Sequence, residues 1–338
     1  MSKQAPAVVF VEPNRVELWD MEIAEPGPLD VGIRTVFSGI SQGTERLSLS
    51  GLYNQMGENI PTFYPCSPGY QAAGVIDIVG EKVRDLKVGD LVFAQGTRFS
   101  DTSWKYPGPC MASHAGYIVA HRDSVTPLPP DVDMAGASLY QMAAVSFHGT
   151  RLANISAGEL VVVLGQGVIG QMSAQAARLK GARVITADII PLRVELSGRY
   201  SSDRAVNVAE ENITDVVLTE SLAGADVVID TTGSARLVAQ CVELVRREGR
   251  ICLQGYYPEK VTFDFHSTHL KRLTVVFPCG WDNEEQTHLS EHLLAGRIKI
   301  SPLITHRVPY REAAQAYKWI MEEPEQSLGI VLDWSKLA

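Results

Sequence analysis

The sequence predicts an α/β protein built from a β-rich, barrel-like region and a doubly wound parallel sheet. In the first third, short β-branched segments separated by turn residues recur at residues 7–11, 31–37, 73–79, 91–94 and 115–120. From residue 160 onward, apolar strands alternate with helical patterns, which is typical of a parallel sheet with helical crossovers. The 338 residues are enough for two such domains.

The remaining elements follow from the same periodicities. A helical pattern covers residues 134–152, and residues 227–230 and 250–253 have the continuous apolar character of buried parallel strands. Residues 310–321 form an amphipathic helix pattern, and a last strand is predicted at residues 329–332. The sequence contains no internal repeat and no low-complexity segment.

A glycine motif marks the first crossover of the predicted parallel sheet. Gly165, Gly167 and Gly170 form Gly-x-Gly-x-x-Gly directly after an apolar strand and at the start of a helix. Gly165 permits the tight turn, Gly167 permits close approach of a pyrophosphate, and Gly170 permits close packing of helix and strand. The backbone N–H groups of Val168 and Ile169 lie at the helix N-terminus, where phosphates bind. The segment therefore predicts a dinucleotide-binding site.

The next strand ends in an acid that predicts which dinucleotide binds. Asp188 lies about 20 residues after the glycines, where a carboxylate accepts the ribose hydroxyls of NAD and repels the 2′-phosphate of NADP. Arg193 is the residue that would favour NADP. We prefer to interpret it as a surface or adenine-stacking arginine because the acid is nearby. The predicted cofactor is NAD.

Composition and charge limit the kinds of partner that the protein is expected to bind. The net charge is −9, and no basic segment is present, so neither nucleic acid nor a membrane is an expected partner. No segment approaches the roughly 20 apolar residues of a membrane span, and the N-terminal pattern is not that of a signal peptide. Five scattered cysteines without a Cys-x-x-Cys pair are expected to be reduced. These features predict a cytoplasmic protein acting on a small-molecule substrate.

Two segments of the β-rich region carry a resemblance to a known family. Residues 78–83 lead into residues 86–92, and a nucleotide-binding fold follows. This arrangement resembles the medium-chain dehydrogenase/reductase superfamily over nearly the whole chain.

The resemblance implies how the domains and the site are arranged. It implies a GroES-like β-barrel catalytic domain from residues 1–147 and 296–338, a Rossmann cofactor domain from residues 148–295, and an active site in the cleft. It also implies that Gly233 and Gly255 approach the cofactor. A homodimer or homotetramer is implied as well, with pairing through the last strand of the nucleotide sheet near residues 273–277.

Three shorter segments resemble one branch of this superfamily, the 3-hydroxyethyl bacteriochlorophyllide a dehydrogenases. They are residues 38–47, 255–259 and 329–334. That branch oxidises a secondary alcohol to a ketone with NAD, so the resemblance implies an NAD-dependent secondary alcohol dehydrogenase. Two alternatives stay open. One is an NAD(P)H-dependent quinone or enoyl reductase, and the other is an NAD-binding protein without catalytic activity.

Zinc-dependent members of the superfamily hold their metal with three motifs, and all three differ here. Ser41 stands in the place of the cysteine ligand, Tyr70 and Gln71 replace His-Glu, and Gln141 occupies the third position. Zinc prefers thiolate, imidazole and carboxylate ligands, so the resemblance implies a metal-independent enzyme. Isolated histidines are more often structural than metal-binding, and those in this chain that offer another site are His114, His121 and His148.

Without a metal, a side chain must polarise the substrate oxygen. The resemblance places Tyr70 where its phenol would donate to that oxygen, with Ser41 and Thr44 as a proton relay and Glu45 as an orienting acid. The alternative is that Tyr70 only fills the volume of the lost metal site. Four loop aromatics would either line a broad substrate pocket or anchor their loops, and they are Tyr53, Trp104, Tyr106 and Trp281.

Overall fold

The computed structural model describes residues 3–52, 63–106, 110–280, 289, 291–293 and 295–337. The chain divides into two compact units. Unit 1 comprises Met1–Gln141 and Ile300–Ala338, and unit 2 comprises Met142–Lys299. These limits lie a few residues from the predicted ones, which are after residue 147 and before residue 296. One helix, Tyr140–Leu152, runs across the first limit, and its continuous helical pattern does not mark a boundary.

Unit 1 begins with a hairpin and continues with a mainly antiparallel sheet. The hairpin pairs Ala7 with Trp19. The elements up to the first limit are β1 (Lys3–Glu12), β2 (Arg15–Ile23), β3 (Asp30–Ile40), α1 (Gln42–Ser50), β4 (Ala72–Val79), β5 (Leu91–Ala94), β6 (Tyr117–His121), β7 (Val125–Pro127), α2 (Met134–Ala137) and α3 (Tyr140–Leu152).

Unit 2 alternates strands and helices along the chain. Its elements are β8 (Leu160–Leu164), α4 (Val168–Leu179), β9 (Arg183–Asp188), α5 (Pro191–Tyr200), β10 (Arg204–Asn207), α6 (Ile213–Glu220), β11 (Ala225–Asp230), α7 (Val238–Leu244), β12 (Val245–Leu253), α8 (Phe265–Lys271) and β13 (Thr274–Val276). The described strands pair in parallel in the order β10-β9-β8-β11-β12-β13. This order confirms the predicted doubly wound sheet.

The chain then returns to unit 1 through β14 (Ile304–Pro309), α9 (Ala313–Glu322) and β15 (Gly329–Asp333). The order in the larger sheet of unit 1 is β14-β15-β3-β4-β5-β7, with β6 also pairing with β3. β15 is antiparallel to β3, with Ile330 opposite Ile40, and parallel to β14. The C-terminal segment therefore completes the sheet that the N-terminal segment begins.

Both faces of the unit 2 sheet are covered by apolar side chains. Along β8, Val162 belongs to one buried cluster with Ile213 and Val228, while Val163 belongs to the opposite cluster with Ala174. A strand buried on both faces needs apolar residues at every position, which explains the unbroken apolar segment that precedes the glycine motif.

Some elements differ from the sequence prediction. The helical pattern at residues 134–152 is two helices, α2 and α3, because Ser138 and Leu139 pack closely against β3 at Gly39, where no side chain intervenes. β2 was missed because most of its residues are partly exposed, which weakens the alternation of polar and apolar positions. Among the described residues, no helix combines the length and apolar character needed to cross a membrane.

Candidate active site

The glycine motif of unit 2 lies at the point where the strand order reverses. β8 is flanked by β9 on one side and β11 on the other, and ligands bind outside the carboxyl ends of strands at such a point. Gly165 follows β8 with a φ of +81°, which favours glycine. A Cβ atom at Gly170 would overlap the carbonyl oxygen of Gly165, so helix and turn require glycine at both positions.

Gly167, the middle glycine of the motif, leaves space for a ligand. Gly167 is the N-cap of α4 and provides no side-chain hydrogen bond to the helix. A Cβ atom built at Gly167 would meet no atom within 4 Å. The first N–H groups of a helix, here including those of Val168 and Ile169, have no partner within the helix and attract anions. The open backbone and these N–H groups fit the pyrophosphate of a dinucleotide.

Asp188 ends β9 beside this turn. It is 8% exposed. Its carboxylate accepts hydrogen bonds from the backbone N–H of Gln166 at 2.6 Å and of Ile190 at 2.9 Å. A carboxylate offers about four lone-pair sites, so capacity remains for ribose hydroxyls. The backbone of Gln166, which the sequence analysis did not consider, fixes the orientation of the acid.

Arg193 lies next to Asp188 rather than on the surface. Its Nη1 atom is 4.0 Å from Oδ2 of Asp188, and its side chain is only 17% exposed. The interpretation as a surface arginine was therefore wrong, because the guanidinium lies beside the Asp188 carboxylate, whereas the interpretation as an arginine that stacks on the adenine stays a prediction. The site thus combines an acid that suits NAD with a cation next to it.

Gly233 and Gly255 lie in the loops that follow β11 and β12. Gly233 has a φ of +69°, and a Cβ atom there would overlap the carbonyl oxygen of Tyr256. A Cβ atom at Gly255 would in turn overlap the backbone of Gly233. The two loops therefore touch through their backbones. Tyr257 also donates a hydrogen bond of 2.6 Å to the buried carboxylate of Asp230, a contact between the same loops that the sequence analysis missed.

In unit 1, the four residues predicted to be catalytic come together. Tyr70 precedes β4, and Ser41 is the N-cap of α1, whose first turns carry Thr44 and Glu45. The pKa of Tyr70 is raised to about 12, mainly by burial and also by the nearby Glu45 carboxylate, while the neighbouring Ser41 and Thr44 hydroxyls oppose the increase. Tyr70 is therefore a neutral phenol at physiological pH, with two hydroxyl groups nearby.

Glu45 is a buried acid with three partners. Its side chain is 1% exposed. One carboxylate oxygen accepts the backbone N–H of Ser41 at 2.8 Å. The other lies 3.0 Å from Nε2 of His114 and accepts a hydrogen bond from the hydroxyl of Tyr317. A buried carboxylate requires such partners, and here they hold the N-terminus of α1 in place.

His114 is bonded at both ring nitrogens. Its Nδ1 lies 2.7 Å from Oγ of Ser38, which also accepts a hydrogen bond from the indole of Trp334 at 2.8 Å. This arrangement matches the structural interpretation of His114. The sequence analysis missed Tyr317 as a partner of Glu45, because the two residues lie far apart in the chain and no local pattern links them.

The donor set in unit 1 does not fit a catalytic zinc ion. The residues that the resemblance assigns to the zinc-ligand positions offer the Ser41 hydroxyl, the protonated Tyr70 phenol and the amides of Gln71 and Gln141, none of which is a preferred zinc ligand. In the part of the chain that the structure describes, no three His, Cys, Asp or Glu side chains are grouped as metal ligands would be.

Two of the four loop aromatics anchor their own loop. The rings of Trp104 and Tyr106 pack against Phe99 with centroid distances of 5.3 and 6.2 Å, and the Tyr106 hydroxyl accepts the Phe99 N–H at 3.0 Å. These contacts support anchoring rather than a substrate pocket. Tyr53 and Trp281 lie outside the described residues.

Comparisons with known proteins agree with this architecture. Residues 27–130 match the family model of the alcohol dehydrogenase GroES-like domain. Residues 168–293 match the model of the zinc-binding dehydrogenase family. Together the two matches cover more than half of the chain, and they fall in unit 1 and unit 2 respectively. They confirm the predicted fold class of a GroES-like domain plus a Rossmann-type sheet.

Relatives of known name span the full length of the chain. An L-threonine 3-dehydrogenase of Deinococcus deserti is 29% identical over 96% of this chain and 97% of its own length. A 2-desacetyl-2-hydroxyethyl bacteriochlorophyllide A dehydrogenase of Cereibacter sphaeroides is 27% identical over 98% of this chain and 99% of its own.

Two solved structures share the fold, and both contain a nicotinamide cofactor. A putative zinc-binding dehydrogenase of Sinorhizobium meliloti bound to NADP has a TM-score of 0.85 at 23% identity, covering 98% of this chain and 99% of its own. A protein described as a short chain alcohol dehydrogenase, from Escherichia coli in complex with NADH, has a TM-score of 0.84 at 21% identity with the same coverage. The chain is an oxidoreductase that belongs to the medium-chain dehydrogenase/reductase superfamily.

Proposed function

We propose that this protein is a zinc-independent, NAD-dependent dehydrogenase that interconverts a secondary alcohol and its ketone. The observation that carries the proposal is the grouping of the Tyr70 phenol with the Ser41 and Thr44 hydroxyls, with Tyr70 kept protonated by burial. The resemblance to zinc-dependent relatives implies that Ser41 and Tyr70 stand at metal-ligand positions. L-Threonine, which the Deinococcus relative is named for, carries a secondary hydroxyl at carbon 3. That chemistry supports the alcohol as the substrate class.

NAD, when bound, supplies the two-electron chemistry of the reaction. The protein binds and orients the cofactor and the substrate, and it exchanges the proton. The N–H groups after Gly167 hold the pyrophosphate, and Asp188 holds the adenosine ribose, in keeping with its free lone pairs. NADP would bring a 2′-phosphate to the Asp188 carboxylate. Arg193, 4.0 Å away, offsets only part of that repulsion.

In unit 1, the phenol of Tyr70 donates its proton to the carbonyl oxygen when a ketone is reduced and takes it back when an alcohol is oxidised. Ser41 and Thr44 exchange protons with the Tyr70 oxygen through their hydroxyl groups. Glu45 acts on Tyr70 through the helix that it holds, since its carboxylate accepts the Ser41 backbone N–H, and through its charge, which raises the pKa of Tyr70. Glu45 is therefore a positioning residue.

The test is turnover with and without metal. The purified protein is analysed for zinc, treated with a chelator, and incubated with NAD and a panel of secondary alcohols, polyols and hydroxyethyl tetrapyrroles while NADH absorbance is followed. We expect no stoichiometric zinc and NADH formation that survives the chelator. One zinc per chain, with activity lost on its removal, would overturn metal independence.

The same panel separates the alternative functions. Reduction of quinones or enones with NADPH, without oxidation of any alcohol, would identify a reductase of the other class. Tight NADH binding in calorimetry without turnover of any alcohol or ketone would identify an NAD-binding protein without catalytic activity.

A further inference from the structure

Three glutamines of unit 1 lie close together at the chain ends of β4 and β5 and the start of α3. Ala72 of β4 pairs with Ala94 of β5 in antiparallel register, and one step further places Gln71 opposite Gln95. Directly opposite residues of such a pair project to the same face of the sheet. The Gln95 amide also donates a hydrogen bond to the side-chain oxygen of Gln141. We call Gln71, Gln95 and Gln141 the glutamine cluster.

Two members of the glutamine cluster are buried with one atom unused. Gln71 is 0% exposed and donates from Nε2 to the carbonyl of Gly39 at 3.2 Å, which fixes the orientation of its amide. Gln141 is 1% exposed and uses Oε1 to accept from Gln95. Among the described residues, neither Oε1 of Gln71 nor Nε2 of Gln141 has a hydrogen-bond partner.

These unused atoms point to a ligand. Buried polar atoms without a partner are rare in native proteins because each loses its hydration without compensation. Here one is an acceptor and the other a donor. An alcohol hydroxyl both donates and accepts, so it satisfies both atoms, whereas a ketone oxygen only accepts and satisfies the donor alone. Gln95 is only partly buried, so the glutamine cluster is not sealed from solvent.

We propose that the glutamine cluster binds the reacting oxygen of the substrate, with Gln141 donating a hydrogen bond to it and Gln71 accepting a hydrogen bond from the hydroxyl of the bound alcohol. The proton itself passes to Tyr70 when the alcohol is oxidised. This inference rests on the proposed function and names the groups that take over the oxygen-binding role of a metal. Gln71 directly follows Tyr70, and its amide bonds Gly39, two residues before Ser41. The glutamine cluster and the Tyr70 phenol are therefore both next to the segment of residues 39–41.

Side-chain amide resonances test the contact without requiring turnover. Glutamine is labelled with ¹⁵N, and the Gln141 amide signal is identified by its loss in Gln141→Met. The probes are propan-2-ol with NADH and acetone with NAD, two combinations that cannot react. We expect both probes to shift the Gln141 signal saturably. No shift with either probe would overturn the proposal and leave water as the occupant.

The donor and acceptor roles predict different effects on the two probes. Gln71→Met removes the acceptor for the hydroxyl proton, so propan-2-ol should bind about five- to tenfold more weakly, as expected for one lost neutral hydrogen bond. Acetone has no such proton and should change by less than about twofold. Equal weakening of both probes would contradict the assignment of Gln71 as the acceptor.

A matched control separates binding from stability. Gln175 is a buried glutamine whose Nε2 donates to the Lys299 carbonyl at 3.2 Å and whose Oε1 accepts the Lys299 N–H at 2.7 Å. Gln175→Met should lower the thermal midpoint and leave the KM for alcohol unchanged. Gln141→Met should raise that KM about tenfold with a smaller loss of thermal stability, because it removes one hydrogen bond, from the partly buried Gln95, whereas Gln175→Met removes both bonds to Lys299.

The outcomes distinguish the inference from the proposed function. If no alcohol of the panel is oxidised but the Gln141 signal responds, the dehydrogenase proposal fails and the oxygen site stands. If alcohols are oxidised and Gln141→Met leaves both KM and kcat unchanged, the oxygen site fails and the dehydrogenase proposal stands.

Discussion

The hydroxyl of Tyr317, on α9, donates a hydrogen bond to the buried carboxylate of Glu45, on α1. The contact joins the first helix of the chain to the last and lies next to the group that we consider catalytic. Burial and the Glu45 charge raise the pKa of Tyr317 well above its usual value, so the phenol stays a donor.

Removing that donor should destabilise unit 1. Tyr317→Phe leaves a buried carboxylate with one partner fewer, and we expect it to lower the free energy of unfolding by about 1.5–3 kcal/mol, measured by urea denaturation. The control is Tyr310→Phe, because the Tyr310 ring stacks on Trp334 and its hydroxyl has no hydrogen-bond partner among the described residues. Equal losses in both variants would show that the Glu45 contact contributes nothing.

Tyr70→Phe should slow the chemical step while leaving the cofactor bound. The substitution keeps the ring and removes the hydroxyl, and loss of a general acid–base group typically costs about 10²–10⁴-fold in rate. Single-turnover measurements give the rate, and a separate titration gives the NADH affinity. A decrease below about threefold, far short of that range, would make Tyr70 a space-filling residue.

A second tyrosine provides the control for that experiment. The Tyr64 hydroxyl donates a hydrogen bond of 3.1 Å to the Leu49 carbonyl at the end of α1. Tyr64→Phe therefore removes a bonded phenolic oxygen from the same unit. We expect it to lower stability and to leave the rate of the chemical step unchanged.

The raised pKa of Tyr70 has a measurable consequence for stability at high pH. A tyrosine in the unfolded chain ionises near pH 10, whereas burial keeps Tyr70 protonated until about 12. Its stabilising contribution is therefore complete below about pH 10 and is lost as the pH rises toward 12. Thermal midpoints between pH 8 and 11 should fall less steeply in Tyr70→Phe than in the natural protein. Parallel curves would contradict the raised pKa.

Cofactor preference should depend on Asp188. We expect the natural protein to bind NADH more tightly than NADPH in calorimetric titrations. Asp188→Ala should weaken NADH binding by about ten- to a hundredfold, since a charged acceptor for the ribose hydroxyls is lost. NADPH binding should stay the same or become tighter, because the repulsion is lost and Arg193 then faces the 2′-phosphate without the competing acid. Equal or tighter NADPH binding by the natural protein would refute the NAD assignment.

Association is expected through the edge of the unit 2 sheet. β13 is the outermost described strand on its side of that sheet, and Phe277 next to it is 64% exposed. A free apolar edge favours pairing with a second chain. Light scattering should give a dimer or tetramer, and Phe277→Asp should shift it toward monomer. A monomer mass for the natural protein at working concentration would rule this out.

The sequence was most informative where the signal is local. The spacing of Gly165, Gly167 and Gly170, followed by Asp188, sets the turn, the helix start and the strand end within about 25 residues, and periodicity is enough to find each of them. Arg193 was misjudged because its position depends on how α5 packs. The spacing of residues along the chain does not predict how this helix packs.

Contacts between distant segments were not visible in the sequence. Glu45, His114 and Tyr317 lie on three widely separated segments, and only the completed sheet brings them together. The glutamine cluster is similar, because its members meet through strand register. The sequence around a polar residue does not indicate its hydrogen-bond partner in the fold. Periodicity therefore predicts the helices and strands but not the hydrogen bonds between distant residues.

The position of β15 between β3 and β14 has a consequence during protein synthesis. The ribosome completes all of unit 2 before it makes the strand that pairs with residues 37–40. Unit 2 is contiguous and can fold while residues 37–40 of β3 in unit 1 still lack their partner strand. A nascent chain that stops before residue 329 would carry a folded nucleotide sheet beside an unpaired strand edge, a recognised starting point for aggregation.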